Sequence, residues 1–142
     1  MRKTIKYISA CLNYLVWLFF SRYKFEKLDY KNMKKVLIVN TGVIGDLLAT
    51  TPLIEKLSES NMKVDILINP EMKPIFKNNK NINNILTLNQ SRGFINSLKN
   101  QNYDLAILIY PNTKEVAKLL LDSKIPYRIA DVPYNIFGFH SI

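Results

Sequence analysis

Short apolar runs that alternate with stretches of helical spacing constrain this chain more than any other feature. "KKVLIVN" carries no polar residue inside its apolar core, as a strand covered on both faces requires. "TGVIGD" breaks that run, and "DLLATTPLIEKLSE" then sets Leu47, Leu48, Thr51, Ile54 and Leu57 at helical spacing. Further strands are predicted at 64–68, 85–88, 105–110 and near 127–132. Helices are predicted in "PEMKPIFKNN", "RGFINSLKNQ" and "NTKEVAKLLLDS". This alternation predicts an α/β domain, a parallel sheet joined by right-handed crossovers with helices on both faces. In such a sheet ligands bind outside the carboxyl ends of the strands. Here that edge holds the loop 41–46, the segment after Ile68 and the segment after Tyr110.

At 142 residues there is room for one ordinary domain. The net charge of +9 invites a nucleic-acid reading, but its distribution opposes one. Residues 1–35 hold nine Lys/Arg against Glu26 and Asp29, while the rest hold eleven against nine Asp/Glu. The basic excess thus belongs to an N-terminal segment, and no arginine-rich or aromatic-interleaved basic run follows it. Cys11 is the only cysteine and His140 the only histidine, so neither an intrachain disulfide, a cysteine metal cluster nor a histidine dyad is supplied.

"ISACLNYLVWLFF", residues 8–20, is flanked by Arg2, Lys3 and Lys6 before it and by Arg22, Lys24 and Lys27 after it. A spanning helix needs ~20 mostly apolar residues, and this run is shorter. It also lacks the small-residue cleavage site of a signal peptide. Its aromatics and flanking cations fit a helix lying on an anionic membrane surface; the alternative is a helix packed on the domain or on a partner. The chain thus divides into a basic, aromatic-rich helix and linker over 1–33 and an α/β domain over 34–142.

Gly42 and Gly45 follow the first strand, and Asp46 stands where a helix begins. The spacing is neither a dinucleotide fingerprint nor a phosphate loop with its Lys-Ser/Thr pair. A carboxylate at that point caps a helix for ~0.3–1 kcal/mol without any chemistry. Thr50-Thr51-Pro52 either restarts a helix or kinks one that began at Asp46.

"KVLIVNTGVIGDLLATTPLIEKLSES" resembles the start of the heptosyltransferase family, glycosyltransferase family 9. There an opening strand runs into a glycine turn, then Gly-Asp, then a helix with Thr-x-Pro or Thr-Thr-Pro; Gly45-Asp46 and Thr50-Thr51-Pro52 match. "VDILINPEMKPIFKNNKNINNIL", "YDLAILI" and "IPYRIA" are similar to later strands of the family, more loosely. The resemblance implies the N-terminal, acceptor-binding, Rossmann-like half of a GT-B glycosyltransferase. It implies inverting, metal-independent transfer from a nucleotide-sugar such as ADP-heptose to a lipopolysaccharide core or related lipid-linked saccharide. No cofactor is implied, the nucleotide-sugar being the substrate. Asp46 would be the catalytic base. Gly42 and Gly45 would let the saccharide approach, and Thr41, Thr50 and Thr51 would offer hydroxyls.

Leu108 stands at a usually acidic position of that family, and Ala130 follows "YRI" where glycine is usual. With the sequence at hand ending at Ile142, the donor domain is expected to be absent from this chain. The expectation is therefore an incomplete enzyme, inactive alone and completed by a separately encoded donor domain. Its expected place is the cytoplasmic face of the inner membrane. The alternatives are a non-catalytic truncated remnant and a membrane-surface glycan-binding or interaction module.

Overall fold

The computed structural model describes residues 32–89, 91–110, 113–130 and 140–141. The expected N-terminal helix lies outside these residues. Strand β1 (Lys35–Asn40) is followed by α1 (Ile44–Ala49) and α2 (Thr51–Glu59). Strand β2 (Lys63–Ile68) leads through a 3-10 turn (Pro70–Met72) into α3 (Lys73–Phe76) and β3 (Asn84–Thr87). Helix α4 (Arg92–Asn100), β4 (Leu105–Tyr110), α5 (Lys114–Asp122), β5 (Tyr127–Ala130) and β6 (His140–Ser141) complete it. All neighbouring strands are parallel, in the order β3-β2-β1-β4-β5-β6. The chain steps outward from β1 in one direction and from β4 in the other. This Rossmann-like order puts the switch point, and with it the expected ligand crevice, between β1 and β4.

The alternation of side chains along each strand sorts the core into two layers. On one face Val36, Ile38, Val64, Ile66 and Ile68 pack with Leu47, Ile54 and Phe76 from α1, α2 and α3. On the other, Leu37, Val39, Leu67, Ala106 and Leu108 pack with Leu98 of α4 and Leu119 and Leu120 of α5. Every side chain from Val36 to Asn40 has no exposed surface, so β1 is the spine of the sheet. Leu108, the departure from the family pattern, belongs to this core and is buried.

The helix after β1 is divided at Thr50, whose φ of −78° and ψ of −17° keep it helical while it caps both α1 and α2. The reason is Pro52, which has no N–H to give to Leu48 and so ends the first hydrogen-bond ladder. Two further prolines shorten the "PEMKPIFKNN" helix: Pro70 opens the 3-10 turn and Pro74 sits in the first turn of α3. Strand β6, two residues long, has no sequence signature, because a period of two needs more residues than that to show.

The amino end of the sheet is held by a buried charge. Asp65, in β2, has no exposed surface. Its Oδ1 accepts from the side-chain amides of Asn83 (2.8 Å) and Asn84 (3.1 Å), and its Oδ2 from the Tyr103 hydroxyl (2.6 Å). Lys35 Nζ lies 3.6 Å from Oδ2 and 4.7 Å above the Tyr103 ring. A carboxylate in such a place is tolerable only when its lone pairs are filled. Burial first, then the hydrogen bond to Asp65 and its charge, hold the Tyr103 phenol well above the ordinary tyrosine range, so it stays a neutral donor.

Tyr103→Phe leaves one Asp65 oxygen short of a donor and is expected to lower unfolding free energy by ~1–3 kcal/mol in urea titrations. The folded-state pKa of Tyr103 lies above its unfolded value. Its contribution is therefore whole below the unfolded pKa of about 10 and is lost as pH rises beyond it. The difference between wild type and Tyr103→Phe should accordingly shrink in alkaline titrations.

Candidate functional site

Asn40 ends β1 at the carboxyl edge, and its side chain builds the turn that follows. Its Oδ1 accepts from the Gly42 N–H at 3.0 Å, closing an Asx turn. Its Nδ2 donates to Thr50 Oγ1 at 2.8 Å and to the Asp46 carbonyl at 3.0 Å. Thr50, buried, donates its own hydroxyl to the same Asp46 carbonyl at 2.9 Å. Strand, turn and helix are thereby joined by one amide. The loop is tied to β2 as well, through Asn69 Nδ2 donating to the Thr41 carbonyl at 2.9 Å.

Asp46 occupies the third helical position of α1 and is half-buried. Its Oδ2 accepts from the Val43 N–H at 3.2 Å, the carboxylate half of a capping box. The reciprocal half is missing, because Val43 has no side-chain acceptor. Of the two roles the sequence leaves open, the cap is therefore present. It is a long bond, and it occupies one carboxylate oxygen.

The candidate residues divide by position. Gly42 is buried and committed to Asn40. Thr50 is committed inward, its hydroxyl both donating and accepting. Thr41 and Thr51 are half-buried, flanking Asp46 on the loop and at the start of α2. Gly45 is exposed, and a Cβ built on it would meet nothing within 4 Å. Neither crowding nor backbone strain demands glycine there, yet glycine in a helix costs ~0.5–1 kcal/mol relative to alanine. Around it Val43, Ile44 and Leu48 form an apolar rim, 67, 55 and 54 % exposed.

Sequence reading misses Asn40 and Asn69, although Asn-Thr-Gly after an apolar run is an Asx-turn signal for the first. Asn69 has no such signal, because its partner is 28 residues away. No group of His, Cys, Asp and Glu among the described residues is placed to hold a metal ion. An open groove of about 400 Å³ between α4 and α5, lined by Arg92, Ile95, Lys99, Leu121 and Lys124, lies on the opposite face of the sheet from α1.

No family model matches the sequence, and no curated protein matches it. Solved structures do match in fold. An ADP-heptose lipopolysaccharide heptosyltransferase II from E. coli is 22% identical with a TM-score of 0.61, the match covering 68% of this chain and 30% of that one. A family 9 glycosyltransferase from Veillonella parvula is 19% identical with a TM-score of 0.58, covering 82% of this chain and 36% of that one. The core domain of a putative phosphoglycolate phosphatase from Streptococcus pneumoniae, 17% identical with a TM-score of 0.54, shares the layering over 78% of this chain and 88% of its own.

Asn40→Ala removes the amide that serves Gly42, Thr50 and Asp46, and is expected to cost ~1–3 kcal/mol in denaturant titrations. Faster hydrogen exchange at the Gly42 amide should accompany it. The chain spans about a third of the glycosyltransferase structures it matches, and over that span it has the Rossmann-like fold of heptosyltransferase-type, family 9 glycosyltransferases.

Proposed function

We propose that the edge around Asp46 is the acceptor side of a family 9 glycosyltransferase, with Asp46 as the base. The observation that carries this reading is a carboxylate at the switch-point edge, on a turn held from within by the Asn40 amide, which bonds the Gly42 N–H, the Thr50 hydroxyl and the Asp46 carbonyl. The fold likeness supports it. In an inverting transfer an acceptor hydroxyl oxygen attacks the anomeric carbon. The bond from that carbon to the diphosphate oxygen breaks, and the nucleotide departs with the electron pair. The hydroxyl proton becomes acidic as the new bond forms and passes to Asp46. With Oδ2 bonded to Val43, Oδ1 takes the proton.

In this reading the donor is a nucleotide-sugar such as ADP-heptose, and the acceptor a lipopolysaccharide core or related saccharide, which Gly45 lets close to the turn. The surface for the nucleotide belongs to a second domain, on this or another chain. Attraction between the cations of residues 1–27 and anionic lipid would hold the domain at the cytoplasmic face of the inner membrane. The second reading is a glycan-binding module in which Asp46 only caps α1; the 3.2 Å bond to Val43 favours it.

The two readings part in a transfer assay with ADP-heptose and a truncated lipid A–core acceptor, run on this chain alone and mixed with a family 9 donor domain. Asp46→Asn keeps an acceptor for the Val43 N–H but cannot serve as base. Transfer in the mixture is expected to fall ~10²–10⁴-fold in Asp46→Asn, with stability little changed. Equal transfer by variant and wild type, or none from either, refutes the base.

Gly45→Ala separates folding from ligand approach. It is expected to raise unfolding free energy by ~0.5–1 kcal/mol while weakening acceptor binding measured by calorimetry.

A further inference from the structure

The carboxyl edge of the sheet carries a second polar side chain beside the turn, supplied by β2. The parallel register pairs Val39 with Leu67, so Asn69 stands next to Thr41, two steps beyond that pair. Its Nδ2 donates to the Thr41 carbonyl at 2.9 Å. A carbonyl oxygen only accepts, so this bond fixes the orientation of the amide and leaves Oδ1 as the remaining acceptor. Among the described residues no donor reaches that oxygen, and Asn69 is half-buried.

That oxygen has a local use which it does not take. Asn69 is the N-cap of the 3-10 turn Pro70–Met72, and an asparagine in that place ordinarily accepts from a backbone N–H of the first turn. Its side chain makes no such bond; the Met72 N–H donates to the Asn69 main-chain carbonyl instead, at 3.0 Å. The asparagines that follow or end the neighbouring strands behave differently. Asn40 uses all its side-chain polar atoms on the turn, and Asn89, after β3, uses its Oδ1 on the Ser91 N–H at 2.9 Å. Asn69 keeps its acceptor. Beside it the Thr41 hydroxyl, also half-buried, makes no hydrogen bond among the described residues.

We infer that Asn69 is a specificity-determining residue of the acceptor side, its Oδ1 accepting a hydrogen bond from a second hydroxyl of the acceptor saccharide. Asp46 and Asn69 are anchored to the same short piece of main chain, one through the Val43 N–H and the other through the Thr41 carbonyl. Residues 41 and 43 are at most ~7 Å apart along the chain, so the two unused oxygens serve hydroxyls of one sugar ring. A hydroxyl both donates and accepts, and the Thr41 hydroxyl supplies the donor that Asn69 Oδ1 lacks. The ligand class is therefore a ring polyol and not a simple alcohol: one hydroxyl goes to Asp46 and another is read by Asn69. The inference rests on the acceptor-side reading, though not on Asp46 as its base.

The test is a cycle of variant against substrate. The saccharide of the truncated lipid A–core acceptor, released from its lipid, is titrated into this chain by calorimetry, together with analogues that lack one hydroxyl of the terminal ring at a time. Wild type is expected to bind one of these analogues ~3–10-fold more weakly than the parent. Asn69→Ala should bind the parent about as weakly and should no longer distinguish the two. A residue that only ties the loop would lower affinity for the parent and for every analogue by one factor, so unchanged discrimination in the variant overturns the inference. A wild type that binds the parent and all analogues alike overturns it too. Should Asn69→Ala fail to fold, Asn69→Ser, whose shorter side chain withdraws the acceptor, is put through the same comparison. No binding of any saccharide by wild type overturns the acceptor-side reading and this inference with it. Discrimination carried by Asn69, with transfer equal in wild type and Asp46→Asn, refutes the base alone.

Discussion

The Asn40 side chain is where fold and site become one object. It ends a central strand whose last five residues have no exposed surface, and each of its side-chain polar atoms is used. An amide in that position is costly unless satisfied, and once satisfied it tolerates few alternative arrangements of the loop around it. The Asp46 carbonyl receives two of the resulting bonds, one from Asn40 and one from Thr50. The main chain of Asp46 is thus fixed from below while its carboxylate stays at the edge. Rigid support beneath a polar group that faces outward is the arrangement that electrostatic preorganisation requires.

The opposite end of the sheet is locked in another way, and the contrast separates structure from function. Asp65 touches side chains at the start of β1, at the start of β3 and just before β4. Asp104 Oδ2 adds the Lys34 and Lys35 N–H groups at 2.8 and 2.9 Å. A slip of one residue in β2 would turn Asp65 to the other face and leave its donors unpaired, so the network discriminates between registers more than it adds stability. Both oxygens of Asp65 are taken by donors within the protein. Asp46 differs from it in having an oxygen to spare.

The longer strands and helices were legible because they span enough residues to show their period: the sequence places β4 at 105–110, where it forms. Local chemistry was legible too, as in the break at Pro52. What stayed hidden depends on pairs distant in sequence. Asp65 reads as an interruption in "VDILIN", and only the folded sheet brings Tyr103 to it, 38 residues on. Asn69 is hidden for the same reason. Thr50 shows a subtler limit: it reads as a hydroxyl for a ligand, while the structure turns it inward, because two adjacent threonines on a helix point to different sides.

The case for function at the Asp46 edge also stands apart from any likeness to other proteins. A chain folded for stability alone would carry alanine at Gly45, where a side chain has open space and a helix would gain from it. It would carry polar residues at Val43, Ile44 and Leu48, which expose more than half of their surface. Each departure is small, and scattered apolar residues on a surface need no explanation. These four lie within six residues of one another, around a carboxylate and at the switch point of the sheet. Local rules broken together, at the place where topology puts a ligand, mark a surface shaped for something other than water. A saccharide ring offers hydroxyls to the carboxylate and C–H faces to the apolar rim, so the chemistry of the rim agrees with the chemistry proposed for Asp46.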